Sequence, residues 1–200
     1  MLCGEADREL THTDQRLLPL VVLETERLRL RAFLESDIDD VYKACSDPEL
    51  QRWLPIPRPG VFYTREDAEL WCLQDAPGMR TSGEGQQWAV TEIDTGRLVG
   101  AVGLVRIGWP AMNTEIGYWA TPWARGRGYI GEAVLALSRW TLDQGFQRIE
   151  IKADTHNLPS RRVAEKSGFT FEGVERSAMP LHEGRADLAV YSLLPRDLDK

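Results

Sequence analysis

Cysteine is scarce: three in 200 residues, Cys3, Cys45 and Cys72, far apart in the chain. They form no C-x-x-C pair and no ligand cluster with His12, His156 and His182, so no metal is expected. Thiols so spaced are expected to stay reduced, as in a cytoplasm. No apolar run approaches the roughly 18–20 residues of a membrane span, so no membrane partner is expected. The first residues carry Glu5, Asp7 and Glu9 where a secretory signal would have a positive region and an apolar core, and a cytoplasmic location is the expectation. Excess positive charge is missing too. Lys and Arg total 24 against 31 Asp and Glu, a net charge of −7. A generic nucleic-acid binder needs a basic face, which argues against that class. The acidity suits a cationic or amine-bearing substrate. There are no internal repeats, no low-complexity tract, and no Gly-Lys-Ser/Thr of the kind a P-loop requires.

What is present fits one domain, with 42% hydrophobic and 28% charged residues. Residues 1–22 have weak periodicity and read as a flexible extension, with an apolar turn at Leu17 to Leu23 as a docking point. The single domain is placed at residues 23–197. Leu23 to Phe33 alternates as a strand. Ser36 and Thr64 cap two helices, the first halted by Asp47-Pro48 and the second ending near Pro77-Gly78. Residues 50–62 are proline-rich and irregular, and residues 77–85 read as a loop. Gln86 to Ile93 and Leu98 to Val105 form a hairpin through Asp94-Thr-Gly96. Strands follow at Thr114 to Ala120, Ile149 to Asp154, Phe169 to Val174 and Ala186 to Leu194. A long helix spans Gly128 to Gln144 and a short one Asn157 to Ser167. The expected fold is mixed α/β (α+β): a twisted, mostly antiparallel sheet of about seven strands with helices on both faces.

The stretch between the Thr114 to Ala120 strand and the long helix carries the chemistry. Gly126, Gly128 and Gly131 sit among Arg125 and Arg127 at a strand-to-helix turn. Glycines let backbone N–H groups turn inward, the helix start adds positive potential, and arginines pair with phosphate oxygens. Gly126-x-Gly128-x-x-Gly131 matches the dinucleotide fingerprint, with Glu150 near the position of a ribose-binding acid. Thr121 to Arg125 separate the first glycine from its strand, however, and little chain follows for a doubly wound sheet. An ordinary glycine-rich turn is the plain alternative.

Arg125-Gly-Arg-Gly-Tyr-Ile130 also resembles the Arg/Gln-x-x-Gly-x-Gly/Ala signature of the Gcn5-related N-acetyltransferase (GNAT) superfamily. The sixth position is Ile130 in place of glycine or alanine, and Gly131 follows one place later. Three further blocks look like the ribosomal-protein alanine acetyltransferase (RimJ/RimL-type) branch: Glu115-Ile-Gly-Tyr-Trp119, Asn157-Leu-Pro-Ser-Arg-Arg-Val-Ala-Glu-Lys-Ser-Gly-Phe169 and His182-Glu-Gly-Arg-Ala-Asp187. The resemblance spans about residues 24 to 195. It implies two central strands splayed around acetyl-CoA, with backbone N–H groups of Arg125, Gly126, Arg127, Gly128, Tyr129, Ile130 and Gly131 on the phosphates. It implies pantetheine along Ile116 to Trp119, with an N–H near Tyr118 or Trp119 facing the thioester carbonyl. Asn157 would bond pantetheine, Ser160 would protonate the departing thiolate, and Arg161 and Arg162 would reach the adenosine phosphates. Asn157 and Ser160 are also ordinary capping residues, and the arginines an ordinary polar face. Trp53, Phe62 and Tyr63 become acceptor-contact candidates by resemblance, and His182 a loop residue near the acceptor. Dimers are common in the family, so a homodimer is compatible.

Glu115 is the candidate general base, by its match to the Rim-type block. A carboxylate in an apolar cleft has its pKa raised towards neutrality, as a base working at pH 7 requires. A peptide α-amine with pKa about 7.7–8.0 is roughly 10–15% neutral at pH 7, whereas a lysine amine is well under ~0.1% neutral. One modest carboxylate base therefore suits an α-amine. No Cys/His or Ser/His/Asp arrangement suggests a covalent intermediate. The leading expectation is direct acetyl transfer to a primary amine, on a protein N-terminus or a small molecule. A non-catalytic acyl-CoA-binding module and a nicotinamide dehydrogenase are the alternatives.

Overall fold

The computed structural model describes residues 16–58 and 60–198. The expected extension over residues 1–22 falls outside them as far as residue 15. Within residues 16–22, Leu18 is buried, and the Trp88 indole N–H donates to the Val21 carbonyl at 3.0 Å.

The chain forms strands β1 (Leu23–Glu24) and β2 (Leu28–Arg31), then helices α1 (Ile38–Cys45), α2 (Pro48–Trp53), α3 (Arg65–Leu70) and α4 (Ala76–Ser82). Strands β3 (Gln86–Glu92), β4 (Leu98–Gly108) and β5 (Asn113–Ala120) lead to helix α5 (Tyr129–Asp143). Strand β6 (Arg148–Asp154), helix α6 (Leu158–Lys166) and strands β7 (Thr170–Pro180) and β8 (Arg185–Leu193) complete the domain. The eight strands lie in one sheet in the order β1-β2-β3-β4-β5-β6-β8-β7, antiparallel except where β5 meets β6. That single parallel pair is joined through α5, a β-α-β crossover.

The sheet has one strand more than the alternation suggests. Leu23 to Phe33 breaks at Thr25, whose hydroxyl accepts the Leu28 N–H at 3.0 Å and whose own N–H donates to the Leu28 carbonyl. The result is a tight hairpin where the pattern suggested one strand. Two further differences concern helices. Asp47 ends α1 but also caps α2 by accepting the Leu50 N–H at 3.1 Å, so part of the proline-rich stretch is helical. Residues expected to be a loop from Pro77 onward form α4, preceded by a π-helical turn over Trp71–Asp75. Pro77 stands in the first turn of α4, directly after the π turn in which the Ala76 N–H reaches back five residues to the Trp71 carbonyl, and Gly83 ends that helix at φ 74°.

Two cores form on opposite faces. On one, α5 and α6 cover Leu28, Leu30, Trp88, Val102, Ile116, Ile151 and Tyr191. On the other, α1, α3 and the π turn pack Ile38, Val41, Ala68 and Cys72 against Ala89, Ala101 and Trp119. Side chains alternate along β5: Ile116, Tyr118 and Ala120 face α5 and α6, whereas Glu115, Gly117 and Trp119 face the other way.

Asp47 also pairs with Arg125, tying α2 to the glycine-rich loop. Asp47→Ala removes a helix cap worth about 1 kcal/mol, and the partly exposed ion pair adds little. The expected result is a fall of about 2–4 °C in melting temperature, read by calorimetry.

Candidate functional site

The site is built where β5 and β6 part. They pair only from Asn113 to Glu115 and from Arg148 to Glu150. Beyond that register they diverge: β5 stays with β4, and β6 with β8. The gap is flanked by the glycine-rich loop and by the start of α6.

The loop turns at two left-handed glycines, Gly126 at φ 75° and Gly128 at φ 78°. Other residues rarely adopt that conformation, which explains glycine at these two places. Residues Arg125 to Gly128 are exposed. Gly128 is the N-cap of α5 and supplies no side-chain cap, so the first-turn N–H groups face outward under the helix's positive end. This fits an anionic phosphate. Both arginine side chains are held by carboxylates: Arg125 by Asp47, and Arg127 by Glu92 at 3.1 Å. The Tyr129 hydroxyl also donates to Glu92, and the Arg27 and Arg127 guanidinium groups both lie over the Tyr129 ring. Ile130 turns into the core. A Cβ built at Gly131 meets nothing within 4 Å.

Across the gap, Asn157 caps α6, its side-chain oxygen accepting the Ser160 N–H at 3.1 Å. The Tyr118 hydroxyl lies 3.0 Å from Ser160 Oγ and donates to the Ser160 carbonyl at 3.0 Å. Burial pushes the Tyr118 phenol well above its ordinary range, so it stays protonated. Strand β5 and helix α6 thus bring two hydroxyls side by side. The sequence named both residues, but nothing in the spacing of two residues 42 apart shows that they touch. Arg161 points inward, its Nε donating to the Tyr191 hydroxyl at 2.9 Å and its Nη1 to the Thr155 carbonyl at 3.1 Å. Arg162 is exposed.

On the opposite face, Glu115 is mostly enclosed, with 14% of its side chain accessible, and Arg106 donates to it at 2.9 Å. Burial holds its carboxyl above the usual range, against the pull of Arg106 and Lys152. Its neighbours are charges rather than the apolar cleft expected: Arg106, Lys152, Glu150 and Glu175 surround it, and Trp119, on the same face, lies four residues on, about 13 Å along a strand. Arg106 was not legible in the sequence. It sits at φ 53° where the β4–β5 register shifts, and that bulge turns its side chain onto Glu115.

Also on this face, a cavity of about 420 Å³ opens between the sheet and α3, walled by Leu54, Ile56, Leu70, Trp71 and Trp119. Of the acceptor candidates, Tyr63 lines it. His182 sits in the β7–β8 turn, and its Nε2 lies 3.3 Å from the Ile56 carbonyl in the cavity wall. Trp53 is half-buried on α2, its indole N–H donating to Glu49 at 3.0 Å, and Phe62 is 92% exposed. Neither lines the cavity. Trp71 reads in sequence as one more apolar residue at i, i+3, i+4 spacing, and only the packing shows it as a wall.

The dinucleotide reading ends here. It requires a doubly wound parallel sheet, and among the described residues only one pair of strands is parallel. Glu150 is occupied by Arg148 at 2.7 Å.

Comparison with known proteins agrees with the geometry. A family model described as an acetyltransferase (GNAT) domain matches residues 27–170. The chain is 27% identical over 183 residues to an uncharacterized N-acetyltransferase, YoaA, of Bacillus subtilis strain 168, covering 88% of this chain and 98% of the relative. It is 28% identical over 171 residues to the ribosomal-protein-serine acetyltransferase of Escherichia coli K12, covering 84% and 93%. The structure of RimL, a ribosomal alpha-N-protein acetyltransferase in complex with coenzyme A, superposes with a TM-score of 0.76 at 22% identity, covering 90% and 98%. With a strand pair parted beside a glycine-rich helix start, and with that domain matched across most of its length, this chain belongs to the GNAT acetyltransferase family.

Proposed function

We propose that the protein is an acetyl-CoA-dependent N-acetyltransferase that moves acetyl directly onto a primary amine, with Glu115 as base and Ser160 as acid. The observation that carries this reading is the gap between β5 and β6, which has a carboxylate of raised pKa on one face and a hydroxyl pair on the other. Acetyl-CoA supplies the acyl group as a thioester. The loop's backbone N–H groups and the start of α5 hold the phosphates, Asn157 borders the pantetheine path, and an N–H near Tyr118 or Trp119 polarises the carbonyl. The acceptor approaches from the cavity face. Glu115 takes a proton from the amine as the N–C bond forms and the C–S bond breaks. Ser160, backed by the Tyr118 hydroxyl, gives a proton to the sulfur; Glu115 then releases its proton to solvent and Ser160 takes one up, which restores both groups and balances charge and atoms.

The ribosomal-protein acetyltransferase among the relatives supports a protein N-terminal α-amine as acceptor. We place the domain at residues 23–197 and its work in the cytoplasm, and a homodimer is compatible with it. Trp53, Phe62 and His182 border the acceptor's entrance in this reading, while Arg125, Arg127 and Arg161 exchange their carboxylate, tyrosine and carbonyl partners for phosphate.

The test is release of free CoA from acetyl-CoA in the presence of amines and N-terminal peptides, with the acetylated product weighed by mass spectrometry. Amine-dependent release is expected, and Ser160→Ala should lower kcat about a hundredfold, the lower range of general-acid catalysis. Binding of acetyl-CoA without release towards any amine would replace this reading by a non-catalytic acyl-CoA-binding module.

A further inference from the structure

The cavity beside Trp119 specifies more of the acceptor than an amine. Its volume of about 420 Å³ lies within the ~300–1,000 Å³ of sites that enclose whole small molecules. Leu54, Ile56, Leu70, Trp71 and Trp119 make its walls apolar. The floor is the sheet at Ala101, Val105 and Gly117, and a Cβ built on Gly117 meets nothing within 4 Å. The floor also leads to the candidate base, because Glu115 is the cross-strand partner of Val105 and lies two residues from Gly117 on the same face.

Charge narrows the occupant further. Among the described residues the lining carries two carboxylates, Asp75 and Asp67, the latter also capping α3 through Thr64, and no Lys, Arg or His. Tyr63 and Cys45 share a hydrogen bond in the wall, and burial pushes the Cys45 thiol up to about 12, so both remain neutral. An anionic occupant would find no cation there, whereas an ammonium would find carboxylates.

We propose that this cavity binds the body of the acceptor, and that the acceptor is a primary amine on a branched-aliphatic or aromatic group whose own carboxyl is absent or closed into an amide. A serine or alanine side chain would leave the apolar walls in contact with water. A leucine or phenylalanine side chain would cover them, and each buried methylene favours the larger acceptor. This rests on the acetyl-transfer reading above.

The test compares kcat/KM for leucinamide, phenylalaninamide, alaninamide, serinamide and free leucine with acetyl-CoA, and compares octanoyl-CoA with acetyl-CoA. The leucine and phenylalanine amides should exceed the serine and alanine amides about tenfold or more, and free leucine should trail leucinamide by a similar factor. Gly117→Val, which places methyl groups on the floor, should lower the leucinamide-to-alaninamide ratio about tenfold; the ratio is the readout. Occupancy is read separately from turnover by tryptophan fluorescence with CoA present: leucinamide should give a saturable change that Trp71→Phe diminishes. Leucinamide binding without turnover of any amine would retire the acetyl-transfer reading and leave the cavity assignment standing. Serine or alanine amides equal to the larger ones, no leucinamide binding, or a tenfold preference for octanoyl-CoA would overturn the proposal, the last by giving the cavity to the acyl chain.

Discussion

Glu115→Gln should lower kcat/KM for amine acetylation about 10²–10⁴-fold, the usual worth of a positioned general base, while leaving the thermal shift with acetyl-CoA intact. The substitution keeps the shape and hydrogen-bonding oxygen of the side chain but removes its proton affinity. The pH profile gives the sharper readout. Burial raises the Glu115 pKa, so the ionised, active form gains population only as pH climbs through that raised value, and the rate should rise with it. Arg106 pulls in the opposite direction from 2.9 Å. Arg106→Ala should therefore move the rising limb to higher pH with little loss of the plateau rate. Stability follows the same group with its own sign. A carboxyl whose folded pKa lies above the unfolded value contributes stability that is fully present below the unfolded pKa and is lost as pH rises through the folded one. Glu115→Gln removes that loss, so near pH 8 the variant should melt no lower than the parent. An undiminished rate in Glu115→Gln would end the assignment of Glu115 as base and turn attention to the other groups facing the cavity.

Much of this arrangement is legible in the sequence where local rules decide. Alternation locates seven of the eight strands, and the Thr64 cap and the Asp94-Thr-Gly96 turn fall as expected because each is set by residues three or four apart. The split of β1 from β2 is missed because Thr25 can extend or turn, and its hydroxyl settles the matter only through Leu28. Helix α4 is missed because Pro77 and Gly78 argue against a helix, yet the chain runs helically out of α3 through a π turn that shifts the hydrogen bonding by one residue just before the proline. At the site, the resemblance brought forward Glu115, Tyr118, Trp119, Asn157 and Ser160, and the structure sets them around one gap. What it did not bring forward depends on distant parts of the chain. Asp47, 78 residues away, occupies Arg125. Arg106 reaches Glu115 only through a bulge. The cavity walls come from a proline-rich loop and α3, whose relation to β5 no short pattern encodes.

Gly128→Val should abolish most of the stabilisation by acetyl-CoA. At 100 times its dissociation constant a ligand adds about 2.7 kcal/mol, or several degrees for a domain of this size. The variant acts in two ways that must be separated. Gly128 stands at φ 78°, and a β-branched residue held there costs about 1–2 kcal/mol, so the ligand-free protein should melt a few degrees lower. It also brings methyl groups to the exposed N-cap of α5, where the phosphate N–H groups are assigned. Gly131→Leu isolates the second effect. Gly131 lies in the first turn of α5, and its added Cβ meets nothing within 4 Å. Leucine propagates a helix better than glycine by up to about 1 kcal/mol, so the ligand-free variant should be as stable as the parent or more so. Its side chain leans back towards the helix start, over the first-turn N–H groups. A reduced acetyl-CoA shift in both variants, with ligand-free stability moving in opposite directions, ties the loss to the loop and not to folding. A full shift retained in both would remove the phosphates from this loop, because the proposed anchor tolerates neither a blocked N-cap nor a covered first turn.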